Sequence, residues 1–279
     1  MAAQNLSDLD IIRHQILNSI RMYNKKYRKD YGQMVICADS RNVWRYKEFE
    51  YYKHQRKLDR KKREVVAEQN GQNWTDIFEL MDDLLQDIRE NFPWKVVKVD
   101  ECEGDDIIGA LACRTQDFGK YEPVMIISTD GDFKQLQKFD NVAQFAPMQK
   151  KLVVEKNPRK YQLEHICRGD KGDGIPNIKS SDDLFTIDGS RQTPIMKKEI
   201  NLWFDNVDNL KSVMTEDQYR NFQRNKLLID LESIPTDIYN SIIETYDGHK
   251  PANKMKVLNY LIKKRLRNLV ECTEDFYNG

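Results

Sequence analysis

"VMIISTDGDF", residues 124–133, decides how the rest of the chain is read. Val124 to Ser128 is an apolar run of strand length, and it stops on Thr129, Asp130, Gly131 and Asp132. A short apolar run bounded by turn residues predicts a buried strand of the kind found in parallel sheets. Ligands of open parallel sheets bind at the carboxyl ends of the strands. Two aspartates separated by Gly131 alone are therefore delivered to the edge where a ligand sits, and the glycine removes steric hindrance between them.

The pattern repeats on either side. "QMVICA" (33–38) reads as a buried strand ending at Asp39, and "WKVVKV" (94–99) as another, followed by the helix start "EGDDIIGALACRT" (103–115). "NVAQFA" (141–146) reads as a further strand, and a short helix carries "FKQLQK" (133–138). Leu9, Ile12, Leu17 and Ile20 recur at helical spacing behind a cap near Ser7, and "WTDIFELMDDLLQDIRE" (74–90) is a second amphipathic helix. Strands alternating with helices predict an α/β domain with a mostly parallel sheet flanked by helices. Beyond about residue 160 the strand signal fades. Helices are expected near 160–169, 194–205, 215–228, 236–246 and 253–267, giving an α/β core over 1–155 and a helical region over 156–279, packed as one body.

Charged residues make up 32% of the chain, with a formal net charge of zero. The signs are segregated: acids gather at 100–106, 130–132 and 170–173, bases at 41–63 and 254–267. Five scattered cysteines without a CxxC pair argue against a zinc site and for a reduced, cytoplasmic setting. No apolar stretch has the length of a membrane span, and no signal peptide opens the chain.

Each acidic group has an ordinary explanation by itself. "EGDD" suits a helix start, "DGD" a solvated turn, and "GDKGDG" (169–174) a polar turn. Together they imply more. Asp39, Glu103, Asp105, Asp106, Asp130, Asp132, Asp170 and Asp173 would converge on one sheet edge, and so many carboxylates stay ionised at close range only with cations among them. Read as hard oxygen ligands with no histidine or cysteine among them, the donors suit Mg²⁺, with Mn²⁺ substituting. Two such ions would activate water and stabilise the leaving oxygen of a phosphodiester.

"RNVWRYKEFEYYKHQRKLDRKKR" (41–63) follows Asp39 directly. Its cations Arg45, Lys53, Arg56, Lys57, Arg60 and Lys61 are interleaved with Trp44, Tyr46, Phe49, Tyr51 and Tyr52, a pattern that tracks phosphates and stacks on unpaired bases. A solvated helix with a packed aromatic face is the competing reading. "NKMKVLNYLIKKRLRN" (253–268) is a basic amphipathic helix that would meet duplex phosphates, dock a protein, or serve as an ordinary surface helix.

"ECEGDDIIGAL" (101–111), "ISTDGDFKQL" (127–136) and "RGDKGDGIPNI" (168–178) resemble the acidic motifs of the 5′-to-3′ exonuclease and flap endonuclease superfamily, most closely its bacteriophage branch. The likeness continues through "HQILNSI", "FEYYKHQRK", "FAPMQKK", "DGSRQTPIMKKEI" and "LLIDLESIPTDIYNSI", over nearly the whole chain. It implies a PIN-like, resolvase-like fold and a Mg²⁺-dependent enzyme with ribonuclease H activity that removes RNA primers and 5′ flaps in lagging-strand replication. By motif match, Asp39, Glu103, Asp105, Asp106 and Asp130 form a first metal cluster, and Asp132, Asp170 and Asp173 a second. Arg45 and Lys53 fall in the bridge region (about 41–72), whose basic residues hold the scissile phosphate, and Tyr46 is placed with them among the nucleic-acid-binding residues. Gly172 and Gly174 open a helix–turn–helix that grips duplex backbone, with K⁺ as an additional ion. The resemblance also implies DNA flaps or forks and RNA–DNA duplexes as partners, together with a single-stranded DNA-binding protein and a sliding clamp, for a monomer in the host cytoplasm.

The family begins with a buried strand that carries a metal-ligating aspartate. Here Met1 is followed almost at once by the helix that matches the segment after it, and capping accounts for Asp8 and Asp10. That expected loss motivates an alternative: a structure-selective flap-binding protein with weak or lost cleavage. A phosphatase using Asp130 as nucleophile would leave the acids at 103–106 and 170–173 without a purpose.

Overall fold

The computed structural model describes residues 8–59, 74–187 and 189–277. Its chain divides into two compact units, one of residues 1–38, 64–98 and 244–279, the other of 39–63 and 99–243.

In the first unit, β1 (Val35–Ala38) runs parallel to β2 (Lys95–Lys98), with Val35 opposite Lys95 and Ala38 opposite Lys98. The helix Trp74–Asn91 precedes β2, as a parallel crossover requires. Leu84 and Ile88 share one buried face of that helix, at the four-residue spacing that brings side chains one above the other. They pack with Leu17 of the helix Asp8–Tyr31 and with an aromatic cluster of Phe92, Trp94, Tyr260 and Phe276. Phe92 and Trp94 stack with centroids 5.0 Å apart, and Phe276 lies 5.4 Å from Phe92. Burying each such ring contributes about 2–3 kcal/mol. The C-terminal turn is tied down by Asn24, whose Nδ2 donates to Asp275 O at 2.9 Å. β1 departs from the buried strand expected of "QMVICA": its four residues are all half-buried.

In the second unit, β3 (Val124–Ile127) pairs parallel with β4 (Val142–Ala146), and β4 pairs antiparallel with β5 (Lys151–Val153). The apolar run 124–128 and "NVAQFA" are thus strands, joined through the 3₁₀ helix Asp132–Lys138. The apolar pattern does not announce β5, a strand of one lysine and two apolar residues that stays mostly exposed; the turn after Ala146 returns the chain along β4. Ile126, Phe133, Leu136, Val142 and Leu231 form one apolar cluster. A second gathers Phe49, Tyr52, Ile166, Ile175, Ile178, Trp203 and Phe222. The C-terminal half is helical where periodicity placed helices: Pro158–Arg168, Lys197–Asp205, Glu216–Ile229, Thr236–Gly248 and Lys254–Lys263. No helix among the described residues is long and apolar enough to cross a membrane.

Candidate active site

The acids meet in the second unit, each carried by its own turn. Asp39 follows β1 in sequence and accepts a hydrogen bond from Gly104 N at 2.6 Å. Glu103 caps the helix Gly104–Arg114 in a reciprocal capping box with Asp106, whose Oδ2 accepts from Glu103 N at 3.0 Å. Asp130 and Asp132 leave β3 in a tight turn in which Asp132 N donates to Asp130 Oδ1 at 3.0 Å. Gly131 has an ordinary φ of −70°, and a Cβ there would lie 3.0 Å from the Tyr161 hydroxyl, a tight contact that a small shift of that ring tip would relieve. Asp170 and Asp173 flank the turn after the helix Pro158–Arg168, with Asp173 N donating to Asp170 Oδ1 at 3.1 Å. Gly169 makes that turn possible at φ +68°, with its α-carbon so close to the backbone that a Cβ would sit 2.3 Å from Ile175 O.

Two of the expected roles are rearranged. Arg45, expected over a scissile phosphate, is 3% exposed. Its guanidinium donates to Asp106 Oδ1 and Oδ2 at 2.6 and 2.9 Å, to Glu103 Oε2 at 3.0 Å and to Leu228 O at 2.8 Å. Asp106, expected among the metal ligands, is fully buried and also accepts from Trp44 Nε1 at 3.2 Å. Its oxygens are spent on Arg45, Trp44 and the Glu103 amide. Burial of an ion pair demands this complete set of partners, and through Arg45 Nη1 and the Glu103 amide the pair also holds Glu103.

The basic segment is similarly divided. Trp44, Phe49 and Tyr52 are buried, so the packed-face reading describes half of it. Tyr52 Oη lies 2.8 Å from Glu103 Oε2 and 3.0 Å from Asp173 Oδ2, which places one hydroxyl proton between two carboxylates. Lys53 Nζ bonds Glu103 Oε1 and lies 3.6 Å from Asp173 Oδ2. Arg56 Nη2 pairs with Asp173 Oδ1 at 2.9 Å while its side chain remains 57% exposed. Lys57 is exposed and sits 3.6 Å above the half-buried Tyr46 ring. Arg60 and Lys61 lie outside the described residues. Gly172 is exposed beside Arg56, whereas Gly174 is buried against the Tyr51 carbonyl, so its backbone faces inward.

Electrostatics reflect the crowding. Burial, then the charges of Asp130, Asp132, Glu103 and Asp39, pushes the Asp105 carboxyl up to about 7. Asp132 is pushed up to about 6 by burial, with Asp130, Asp170 and Asp173 adding to it and His165 opposing. Burial raises Asp173 as well, against the pull of Lys53 and Arg56. Glu103 goes the other way: burial works to raise it, but Lys53, Arg45 and Tyr52 outweigh burial and hold it low. Asp170 is held low, chiefly by the His165 imidazole beside it.

His165 is the residue that sequence reading missed, and it corrects the expectation that no histidine lies near the acids. Its Nδ1 is 3.5 Å from Asp132 Oδ1 and its Nε2 3.8 Å from Asp170 Oδ2. Asp132, His165 and Asp170 each offer a donor atom within 4.8 Å of the others'. The signal available was weak: a histidine five positions before Asp170, on the last turn of a helix. The donor set fits a divalent cation, since hard carboxylate oxygens predominate and their mutual repulsion is what such an ion relieves.

The N-terminal resolvase-like domain of 5′-3′ exonucleases matches residues 10–164. This chain belongs to the 5′-3′ exonuclease family. The C-terminal domain of T4 RNase H matches residues 159–276. Over 276 residues the chain is 32% identical to the ribonuclease H of Enterobacteria phage T4, covering 96% of this chain and 88% of that protein. Solved structures of the T5 5′-exonuclease share the fold at 17% identity. A form with bound zinc superposes with a TM-score of 0.57, covering 85% of this chain and 90% of that one. A T5 flap endonuclease complex with DNA and metal ions superposes with a TM-score of 0.53, covering 82% and 90%. The resolvase-like fold that the resemblance implied, and the α/β domain expected from strand–helix alternation, are thus those of this family.

Proposed function

We propose that this protein is a divalent-metal-dependent 5′-3′ exonuclease and flap endonuclease that hydrolyses phosphodiesters of RNA primers on DNA and of DNA flaps during replication. One observation carries the reading: acids from four separate stretches of chain, 39, 103–106, 130–132 and 170–173, are held close enough in one unit for their charges to act on one another. Asp39, Glu103, Asp105 and Asp130 would hold one ion, and Asp132, Asp170 and Asp173 a second, with Mg²⁺ suiting the all-carboxylate set of the first. Such ions make a water more acidic and offset charge on the phosphodiester.

The chain's own cations supply the rest. Lys53 and Arg56 reach the same carboxylates and would exchange them for a phosphate once ions neutralise the acids. Lys57, over Tyr46, extends this cationic strip for a single-stranded flap. The turn at 170–175, read as the start of a helix–turn–helix, would receive duplex backbone, with K⁺ as a further ion. The same reading implies a monomer in a host cytoplasm, working with a single-stranded DNA-binding protein and a sliding clamp.

The test is cleavage of a 5′-labelled flap in Mg²⁺ by the parent chain, Asp130→Asn and Asp132→Asn. Each variant should lose on the order of 100-fold or more, about 3 kcal/mol of transition-state stabilisation. Parental rates in both variants would remove these residues from the chemistry. The second reading, flap binding with weak or lost cleavage, is favoured by the commitment of Asp106 to Arg45. Tight flap binding in Ca²⁺ with no product in Mg²⁺ or Mn²⁺ would select it.

A further inference from the structure

We propose that His165 is a direct metal ligand, so that the ion held with Asp132 and Asp170 is a transition-metal divalent of the Mn²⁺ or Co²⁺ type in preference to Mg²⁺. This rests on the reading of the acidic edge as a divalent-metal centre, and it concerns the identity of one of its ions. An imidazole nitrogen suits first-row transition metals, whereas Mg²⁺ favours oxygen donors and retains its waters.

The placement of His165 is built in. It sits on the last turn of the helix Pro158–Arg168, where its own carbonyl accepts from Gly169 N at 2.9 Å. The Tyr161 ring, one turn earlier, meets the imidazole edge-on with centroids 5.9 Å apart. Gly169 then turns the chain so that Asp170 pairs with Ile175 in a backbone bridge, which returns its carboxylate toward the imidazole. Asp132 arrives from the other side at the start of its 3₁₀ helix. Helix end, glycine turn and strand exit thus bring two oxygens and one nitrogen within 4.8 Å of each other. Metal–donor bonds of about 2.1 Å call for donors ~3–4.3 Å apart, so a small inward shift of the carboxylates closes the site. The imidazole is 15% exposed, which leaves room for water in the remaining positions.

The experiment is Mn²⁺ binding by the full chain, read by electron spin resonance without nucleic acid. Pulsed measurements on the parent should show nitrogen hyperfine coupling on bound Mn²⁺, and His165→Gln should abolish it. The same variant should raise the Mn²⁺ dissociation constant about 10-fold while leaving displacement by Mg²⁺ at the remaining site unchanged. In the parent itself, substoichiometric Mn²⁺ should broaden the His165 ring signals ahead of those of the other three histidines, a readout that does not depend on the variant folding. Absence of nitrogen coupling in the parent, or its persistence in folded His165→Gln, overturns the proposal. Flap cleavage is scored separately. Nitrogen-coupled Mn²⁺ in a chain that cuts nothing sinks the nuclease reading and leaves this one standing, and active cleavage with purely oxygen-bound Mn²⁺ does the reverse.

Discussion

Arg45 grips Asp106 with both arms of its guanidinium, at 2.6 and 2.9 Å, and both side chains are essentially out of water. The pair lies directly beneath Glu103, which shares Arg45 Nη1 and gives its own amide to Asp106. The inner pair thus fixes Glu103 at the start of the helix that also carries Asp105.

Replacing Arg45 by alanine leaves Asp106 buried and unpaired, a change that typically costs about 3–5 kcal/mol. Urea denaturation should show that loss. Arg45→Lys should recover little of it, since an ammonium cannot reproduce the two-armed contact together with the bond to Leu228 O. Parental stability in Arg45→Lys would mean that the fork geometry is unimportant.

Gly169→Ala joins two penalties, a positive φ and a Cβ placed 2.3 Å from Ile175 O. Unless the 169–175 turn rearranges, stability should fall by roughly 2 kcal/mol or more. Thermal melting together with Mn²⁺ titration checks this, since a rearranged turn would carry Asp170 away and weaken ion binding even where melting changes little.

The pH dependence without divalent ions follows from Asp105 and Asp132. Their folded-state carboxyls lie at about 7 and about 6, above the ordinary value near 3.8. Between about pH 4 and 7 the folded chain therefore holds more protons than the unfolded chain, and stability falls as pH rises through that window. The loss is on the order of 2–3 kcal/mol after allowance for solvent screening. Adding Mg²⁺ or Mn²⁺ should cancel the decline at pH 7. A metal-free chain that gains stability from pH 5 to 7 would contradict the crowding of these acids.

Arg56 is the exposed member of the cationic set around Asp173. If it meets phosphate, Arg56→Ala should weaken flap binding by a similar factor on all sequences and lower the salt slope by about one. Fluorescence anisotropy across a salt series in Ca²⁺ measures both. An unchanged slope would restrict Arg56 to its pairing with Asp173.

The sequence alone determined the alternation of strand and helix, because apolar periodicity is a local property. The runs at 95–98, 124–127 and 142–146 and the helices beyond 158 lie where period and punctuation place them. It also determined the acids at the strand ends, since a buried run that stops on aspartates is legible one residue at a time. Tertiary structure alone decided which acids crowd against other acids and which are buried against a cation. Asp105 and Asp106 are neighbours in sequence, yet helical geometry turns the first toward Asp130 and Asp132 and buries the second against Arg45, a residue 61 positions away. The same holds for His165, whose partners Asp132 and Asp170 come from a strand exit and a glycine turn. A side chain's charge state and role depend on what packs within a few ångströms of it, and separation along the chain carries no record of that.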